Sequence, residues 1–163
     1  TRYIVRNTLN LLADMGDAGL LEDVAACLRH GDGRVRRSAV RAMWKLGGPA
    51  ASQDLLACLA GTDPETQMEI LFGLGQIQVP DSVPGVLELA RTAGTPERIR
   101  IKAHETLGRI FTSAEPSELR IAAARAMLAI GTPQADLGLR QIVAEESRHQ
   151  DRDALQHILN LRA

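Results

Sequence analysis

The sequence has few aromatic residues and few cysteines. The first shortage argues against nucleic-acid base stacking, and the second argues against a disulfide framework or a cysteine metal site. Aromatic side chains make up 2% of the 163 residues, and only two residues are cysteine. So few rings argue against a platform that stacks nucleic-acid bases. Two cysteines supply neither a disulfide framework nor a four-cysteine metal site. The sequence also lacks the apolar run of about 18 residues that a membrane span needs and the pattern of a signal peptide. We therefore expect a reducing, cytoplasmic setting.

Charge is balanced overall but uneven along the chain. The formal net charge is −1, whereas residues 1–48 carry +3, residues 49–96 carry −5 and residues 97–163 carry +1. Apolar residues make up 45% and charged residues 24%, which is ordinary for a folded soluble protein. The pI near 6.4 is lower than that of a typical nucleic-acid-binding domain.

The sequence contains an internal repeat. Residues 35–47 and 119–131 share six identical columns, and weaker copies lie at 66–78, 99–111 and 4–16. Each copy carries apolar residues at i, i+4 and i+7, which is the period of one helix face. Repeats of this length are typical of stacked helical arrays.

Each copy predicts the first helix of a repeat, and a second helix follows each of the better copies. Val24, Cys27 and Leu28 match Leu55, Cys58 and Leu59 at an offset of 31 residues. The pattern predicts an all-α chain of about ten helices, in antiparallel pairs. The predicted helices are 2–15, 18–30, 34–46, 49–60, 64–77, 81–93, 96–112, 116–130, 134–147 and 151–162.

One full copy of the repeat resembles a known family. The motif consists of Val35-Arg36, Ala39, Ala42-Met43, Leu46-Gly47, Leu55-Leu56, Leu59 and Asp63. It is similar to the short HEAT-like repeat of about 31 residues, the type also found in phycobilin lyase subunits and in many bacterial scaffold proteins. This resemblance implies a right-handed α-solenoid of about five repeats, forming one domain over 1–163, with second helices on the concave side.

Two features depart from that pattern. Gln67 and Gln78 stand where the family has Arg and Gly. Only 20 residues separate Ala103 from Ala123, which is too few for a second helix between them. Either a helix has been lost after Phe111, or helix 116–130 takes the second-helix place. We expect the curvature of the stack to change near 112–116.

We expect a non-enzymatic scaffold or regulatory module that presents a concave helical surface to another protein. No catalytic motif, metal site or cofactor site is recognised. Because residues 49–96 are acidic, we expect a partner with a basic patch. The alternatives are a phycobilin lyase-like subunit and a HEAT-like nucleic-acid-binding protein. The predicted partner-binding residues are Asp23, Arg29, Asp54, Ala57, Glu88 and Arg91.

Several conspicuous residues have structural interpretations. The cysteines lie in core columns, where small apolar side chains belong. Trp44 occupies a column of small residues, so it either packs into a gap or protrudes. His104-Glu105 resembles one iron-binding pair of the HEAT-like deoxyhypusine hydroxylase, but a single pair cannot form that site. We therefore expect His104 to be a surface or helix-packing histidine. One position of the repeat is occupied by Arg36, Gln67, Arg100 and Arg120, and we call it the ladder column. The resemblance implies that side chains at this position form hydrogen bonds with the turns between repeats.

The first helix carries an apolar face at Tyr3, Ile4, Leu9 and Leu12 with no repeat before it. The ends of a solenoid are ordinarily capped by polar faces. We therefore expect the chain to be part of a longer protein, or to self-associate through this end.

Overall fold

A computed structural model describes residues 2–113, 117–145 and 149–160, and every regular element in these ranges is a helix. The chain divides into two compact units, Thr1–Ile77 and Gln78–Ala163. The all-α class and the stacking of consecutive helices, as in an α-solenoid, are confirmed. The single domain over 1–163 and the right-handed superhelix stay predictions.

The helices of the N-terminal unit lie where the period predicts them. The predicted segments 2–15 and 64–77 coincide with the observed helices α1 and α5. The unit comprises α1 Arg2–Met15, α2 Leu21–Ala26, α3 Gly33–Gly47, α4 Ser52–Leu59 and α5 Pro64–Ile77.

The first helices of the N-terminal unit form its core. Helix α3 packs extensively on both α1 and α5. It buries Val35, Ala39 and Met43, which are spaced i, i+4 and i+8 along one face. Leu74 on α5 is fully buried, as its column predicts. The 31-residue offset therefore identifies the residues that are buried between adjacent repeats.

Three of the second helices are shorter than predicted because a 3₁₀ turn takes the place of their first residues. Pro49 and Pro80 lie in the first positions of two of these turns, where a missing amide N–H costs little. The predicted helix 18–30 also ends in a 3₁₀ turn. The four turns are Ala18–Leu20, Cys27–Arg29, Gly48–Ala51 and Pro80–Ser82.

The turns at the ends of first helices need a left-handed backbone. Gly16 has φ of 73° and Gly48 has φ of 47°. Gln78, in the same column as Gly16, has φ of 58° and is the one non-glycine residue with positive φ in the described ranges. Gln78 therefore adopts the positive φ of Gly16 without being glycine, a conformation that side chains with a Cβ disfavour.

The C-terminal unit continues the helical pattern. Leu107 on its longest helix is fully buried, as predicted. The unit comprises α6 Val83–Arg91, α7 Glu97–Ser113, α8 Ser117–Ile130, α9 Pro133–Glu145 and α10 His149–Asn160.

Helix α8 occupies the place of a second helix despite its first-helix sequence. Only three residues separate it from α7, too few to run back along a helix of about 25 Å. The two helices are therefore antiparallel, and they pack closely. Helix α8 also contacts α6, which is a second helix by sequence. The predicted change of curvature near 112–116 falls partly on residues 114–116, outside the described residues.

Candidate partner-binding site

A groove runs between the second helices of the N-terminal unit. It has a volume of about 360 Å³. We call it the second-helix groove. Its lining residues are Glu22, Ala25, Ala26, Leu28, Arg29, Asp54, Ala57 and Cys58.

Small side chains create the second-helix groove. On the α2 segment, Ala25 and Ala26 lie between Glu22 and Arg29, at spacings of three and four residues that share one helix face. On α4, Ala57 follows Asp54 by three residues and lines the same groove. The floor includes Leu28, which is buried. Because alanine has no side-chain atom beyond Cβ, the two segments leave open space where larger residues would fill it.

The rim of the groove is charged and exposed to solvent. Glu22 and Asp54 supply two carboxylates, and Arg29 supplies one guanidinium. A neighbouring cavity of about 350 Å³ shares Arg29 and Ala57 with the groove and extends it to Asp63. The arrangement offers an apolar floor and paired charges, which suit a protein segment better than a small apolar ligand.

All six predicted partner-binding residues are exposed, but only three of them line one groove. Arg29, Asp54 and Ala57 line the second-helix groove. Asp23 instead lines an apolar groove between α1 and α2. Glu88 and Arg91 lie at the end of α6 in the C-terminal unit.

The sequence interpretation missed the groove residues Glu22, Ala25 and Ala26. A signal for them was present, because alanines three and four residues after Glu22 indicate a helix face of small side chains. The repeat columns drew attention to Asp23 instead, one residue along the helix and on a different face.

The ladder column performs the structural role that the resemblance implies. The Arg36 guanidinium donates hydrogen bonds to the backbone oxygens of His30, at 2.6 Å, and Gly31, at 3.1 Å, and it also pairs with the Asp63 carboxylate. Gln67 donates to the backbone oxygen of Leu59 at 3.1 Å. These bonds tie the turn before one first helix to the turn before the next.

The ladder differs in the C-terminal unit. Arg100 pairs with Glu97 on its own helix, so it does not repeat the bonds of Arg36. The side chain of Arg120 lies outside the described residues.

The environment of Asp63 strongly perturbs the pKa of its carboxyl group. Partial burial raises its pKa, but hydrogen bonds from Arg36 and from the hydroxyl and amide of Thr66 outweigh that effect. The pKa therefore lies well below its ordinary value, and Asp63 stays ionised as the partner of Arg36.

Pairing with α3 neutralises part of the acidic segment 49–96. Arg41 holds Glu69 with two hydrogen bonds of 2.9 Å, which raises the pKa of Arg41. Arg37 lies 3.8 Å from Asp63, which Arg36 also holds. The net charge of −5 therefore overstates the electric field that a partner meets at this segment. Arg36, Arg37 and Arg41 of α3 are likewise paired within the fold.

The two cysteines pack within the fold. The thiols of Cys27 and Cys58 are free and half-buried, and burial together with nearby Asp23 raises the pKa of Cys27. A raised pKa keeps the Cys27 thiol protonated and opposes a nucleophilic or metal-binding role.

Trp44 and His104 fill spaces left by glycines. A Cβ at Gly73 would lie 2.8 Å from Cδ1 of Trp44, whose ring also meets Phe72 edge-on at 5.9 Å. A Cβ at Gly138 would lie 2.6 Å from Cε1 of His104. Packing is thus confirmed for both.

The described residues carry neither a metal-binding cluster nor a membrane-spanning helix. They contain no group of three His, Cys, Asp or Glu side chains arranged to hold a metal ion. No helix among them combines the length and apolar character needed to cross a bilayer.

Comparisons with known proteins agree with the repeat pattern. The family model for HEAT repeats matches residues 2–64. A crystal structure of an engineered protein is similar in fold, with a TM-score of 0.52 at 16% identity, over 98% of this chain and 90% of that one. No curated protein matches the chain. The family match identifies HEAT repeats within residues 2–64, and the repeated motif and the stacked helices extend the same pattern beyond them.

Proposed function

We propose that the chain is a non-enzymatic protein-interaction module that binds a segment of a partner protein in the second-helix groove. HEAT repeats generally mediate protein interactions. The observation that carries the proposal is the groove itself, in which small side chains leave space between two helices and charges surround the opening. The predicted residues Arg29, Asp54 and Ala57 all line it.

The rim charges favour a partner segment with a basic residue. Glu22 and Asp54 attract a lysine or arginine, while Arg29 favours an acidic or carbonyl group beside it. Such exposed charges mainly accelerate encounter and make it salt-dependent, whereas the apolar floor contributes affinity. A protein partner is preferred to nucleic acid, because Arg36, Arg37 and Arg41 already pair with carboxylates.

A groove-filling variant tests the proposal. A phage-displayed peptide library is selected against the purified protein, and the enriched peptides are measured for binding. We expect the peptides to be rich in lysine and arginine, and Ala57→Trp to abolish their binding by filling the groove. Ala129→Trp is the matched control, since Ala129 is an exposed helical alanine outside the groove. Peptides that bind the Ala57→Trp variant as tightly as the wild type would refute the groove as the site.

Charge reversal tests the partner chemistry separately. Asp54→Lys and Glu88→Lys are measured singly and together. Asp54→Lys should slow association of the selected peptides, most visibly at low salt, because salt screens exposed charges. Unchanged association rates in Asp54→Lys would contradict the basic-partner proposal.

Two further predictions from the sequence do not involve the second-helix groove. The cytoplasmic setting remains an inference from sequence composition. Self-association through the N-terminal end involves a different surface, the exposed apolar side of α1.

A further inference from the structure

A second groove runs between α9 and α10 in the C-terminal unit. It has a volume of about 330 Å³, and the two helices that form its walls pack against each other. We call it the C-terminal groove. Its described lining residues are Arg140, Val143, Ala144, Arg152, Gln156 and Leu159.

Each wall of the C-terminal groove is one face of one helix. The lining residues of α9 are spaced i, i+3 and i+4 from Arg140, and those of α10 are spaced i, i+4 and i+7 from Arg152. Val143 and Leu159 are buried, with exposures of 4% and 6%, and they form an apolar floor. Both arginines and Gln156 are exposed, so polar groups surround that floor.

The α9 wall matches the α2 wall of the second-helix groove column by column. The two helices align by their apolar columns, which are Val24, Cys27 and Leu28 on α2 and Leu139, Ile142 and Val143 on α9. In this alignment Arg140 takes the place of Ala25, and Ala144 takes the place of Arg29. The same three columns therefore line a groove in each unit, with different side chains in them.

The charges of the two grooves differ in sign. The second-helix groove contains the carboxylates of Glu22 and Asp54, whereas none of the described residues that line the C-terminal groove is acidic. Arg152 already interacts within the chain. Arg140 is exposed and forms no ion pair with another described residue, so it supplies the accessible positive charge of the groove.

A carboxylate beside an aliphatic group fits these walls. A guanidinium donates two parallel hydrogen bonds to one carboxylate. The Gln156 amide donates one N–H to Asn160 at 3.2 Å and has a second N–H to donate. The floor at Val143 and Leu159 accepts an aliphatic side chain next to that carboxylate. A nucleic-acid backbone would engage the arginines and leave the apolar floor uncovered, which favours a protein segment as the occupant.

We propose that the C-terminal groove binds a segment of a partner protein in which a glutamate or aspartate lies beside an aliphatic residue. The carboxylate binds Arg140, and the aliphatic side chain covers the floor. The inference goes beyond the proposed function, because no residue that lines the second-helix groove lines this one.

Peptide selection on a chain whose second-helix groove is filled tests the proposal. A phage-displayed random peptide library is selected against the Ala57→Trp variant, and the enriched peptides are titrated against that variant and the wild type by fluorescence polarisation. We expect peptides with glutamate or aspartate beside leucine, isoleucine or valine, and equal affinity for both proteins. Adding Arg140→Glu should raise the Kd at least about tenfold, because a charge-assisted hydrogen bond is replaced by repulsion.

Two further variants separate the groove from general surface charge. Ala144→Trp fills the C-terminal groove without changing its charge and should also raise the Kd at least about tenfold. Arg125→Glu is the matched control, since Arg125 is an exposed arginine on α8 that lines neither groove, and it should leave the Kd unchanged.

Three results would each overturn the proposal. They are enriched peptides without acidic residues, peptides that keep their affinity in both Arg140→Glu and Ala144→Trp, and a random-sequence DNA oligonucleotide that binds more tightly than the peptides at the same salt concentration. Failure of basic peptides to bind the second-helix groove would refute only the proposed function, because the selection here uses a chain in which that groove is filled.

Discussion

Replacing Asp63 should destabilise the fold more than the loss of one surface carboxylate ordinarily would. Asp63 accepts a hydrogen bond from the Thr66 amide at 3.0 Å and from its hydroxyl at 2.7 Å, and it pairs with Arg36. Its position before Pro64 makes it the N-cap of α5. Loss of a helix cap costs about 1 kcal/mol. Loss of a hydrogen bond to a charged group costs about 1.5–3 kcal/mol.

Asp63→Ala should therefore lower the free energy of unfolding by about 3 kcal/mol. For a chain of this size that corresponds to a fall in Tm of about 6–12 °C. Asp63→Asn keeps an acceptor for the Thr66 amide and loses the charge, so it should cost less than Asp63→Ala. Glu88→Ala is the control, because Glu88 is exposed and carries no comparable cap.

The effect of Asp63 should also depend on pH. Its pKa is lower in the folded chain than in the unfolded chain. The stabilisation is therefore fully present above the unfolded pKa, near 3.8, and is lost as pH falls through the folded pKa. The difference in unfolding free energy between wild type and Asp63→Asn should shrink below about pH 4. Calorimetry and denaturant titrations across pH measure both effects. An Asp63→Ala variant within about 0.5 kcal/mol of the wild type would refute the reasoning.

Two further substitutions test the packing and the backbone. Leu107→Ala should lower the free energy of unfolding by about 2–5 kcal/mol, because Leu107 is fully buried; a cost typical of an exposed leucine would contradict its place in the core. Gln78→Gly should raise the free energy of unfolding by about 0.5–1 kcal/mol by relieving the left-handed backbone at φ 58°. Gln78→Ala, which keeps a Cβ, should give no such gain, and equal effects of the two substitutions in denaturant titrations would argue against strain at this turn.

The positions of the helices follow from the sequence because they depend on local signals. The 3.6-residue period, Asp32 before α3 and Pro64 at the start of α5 act within a few residues of each helix end. The burial of Leu74 and Leu107 also follows, since their columns repeat at a fixed offset. The shortening of the second helices was not predicted, because the apolar pattern does not distinguish a 3₁₀ turn from the first turn of an α-helix.

The candidate site depends on contacts between residues far apart in the chain. The sequence identifies Asp54, Ala57 and Arg29 as exposed, but their meeting in one groove requires α2 and α4 to lie side by side with small residues between them. Composition makes segment 49–96 acidic, whereas the pairing of Asp63 and Glu69 with α3 reduces its charge.

Sequence therefore determines which helix face is apolar, because that property is periodic within one helix. Only the tertiary structure determines which faces meet, which carboxylates are neutralised and where α8 packs. Those outcomes depend on side-chain volume and on distances across helix–helix contacts, which join residues far apart in the chain.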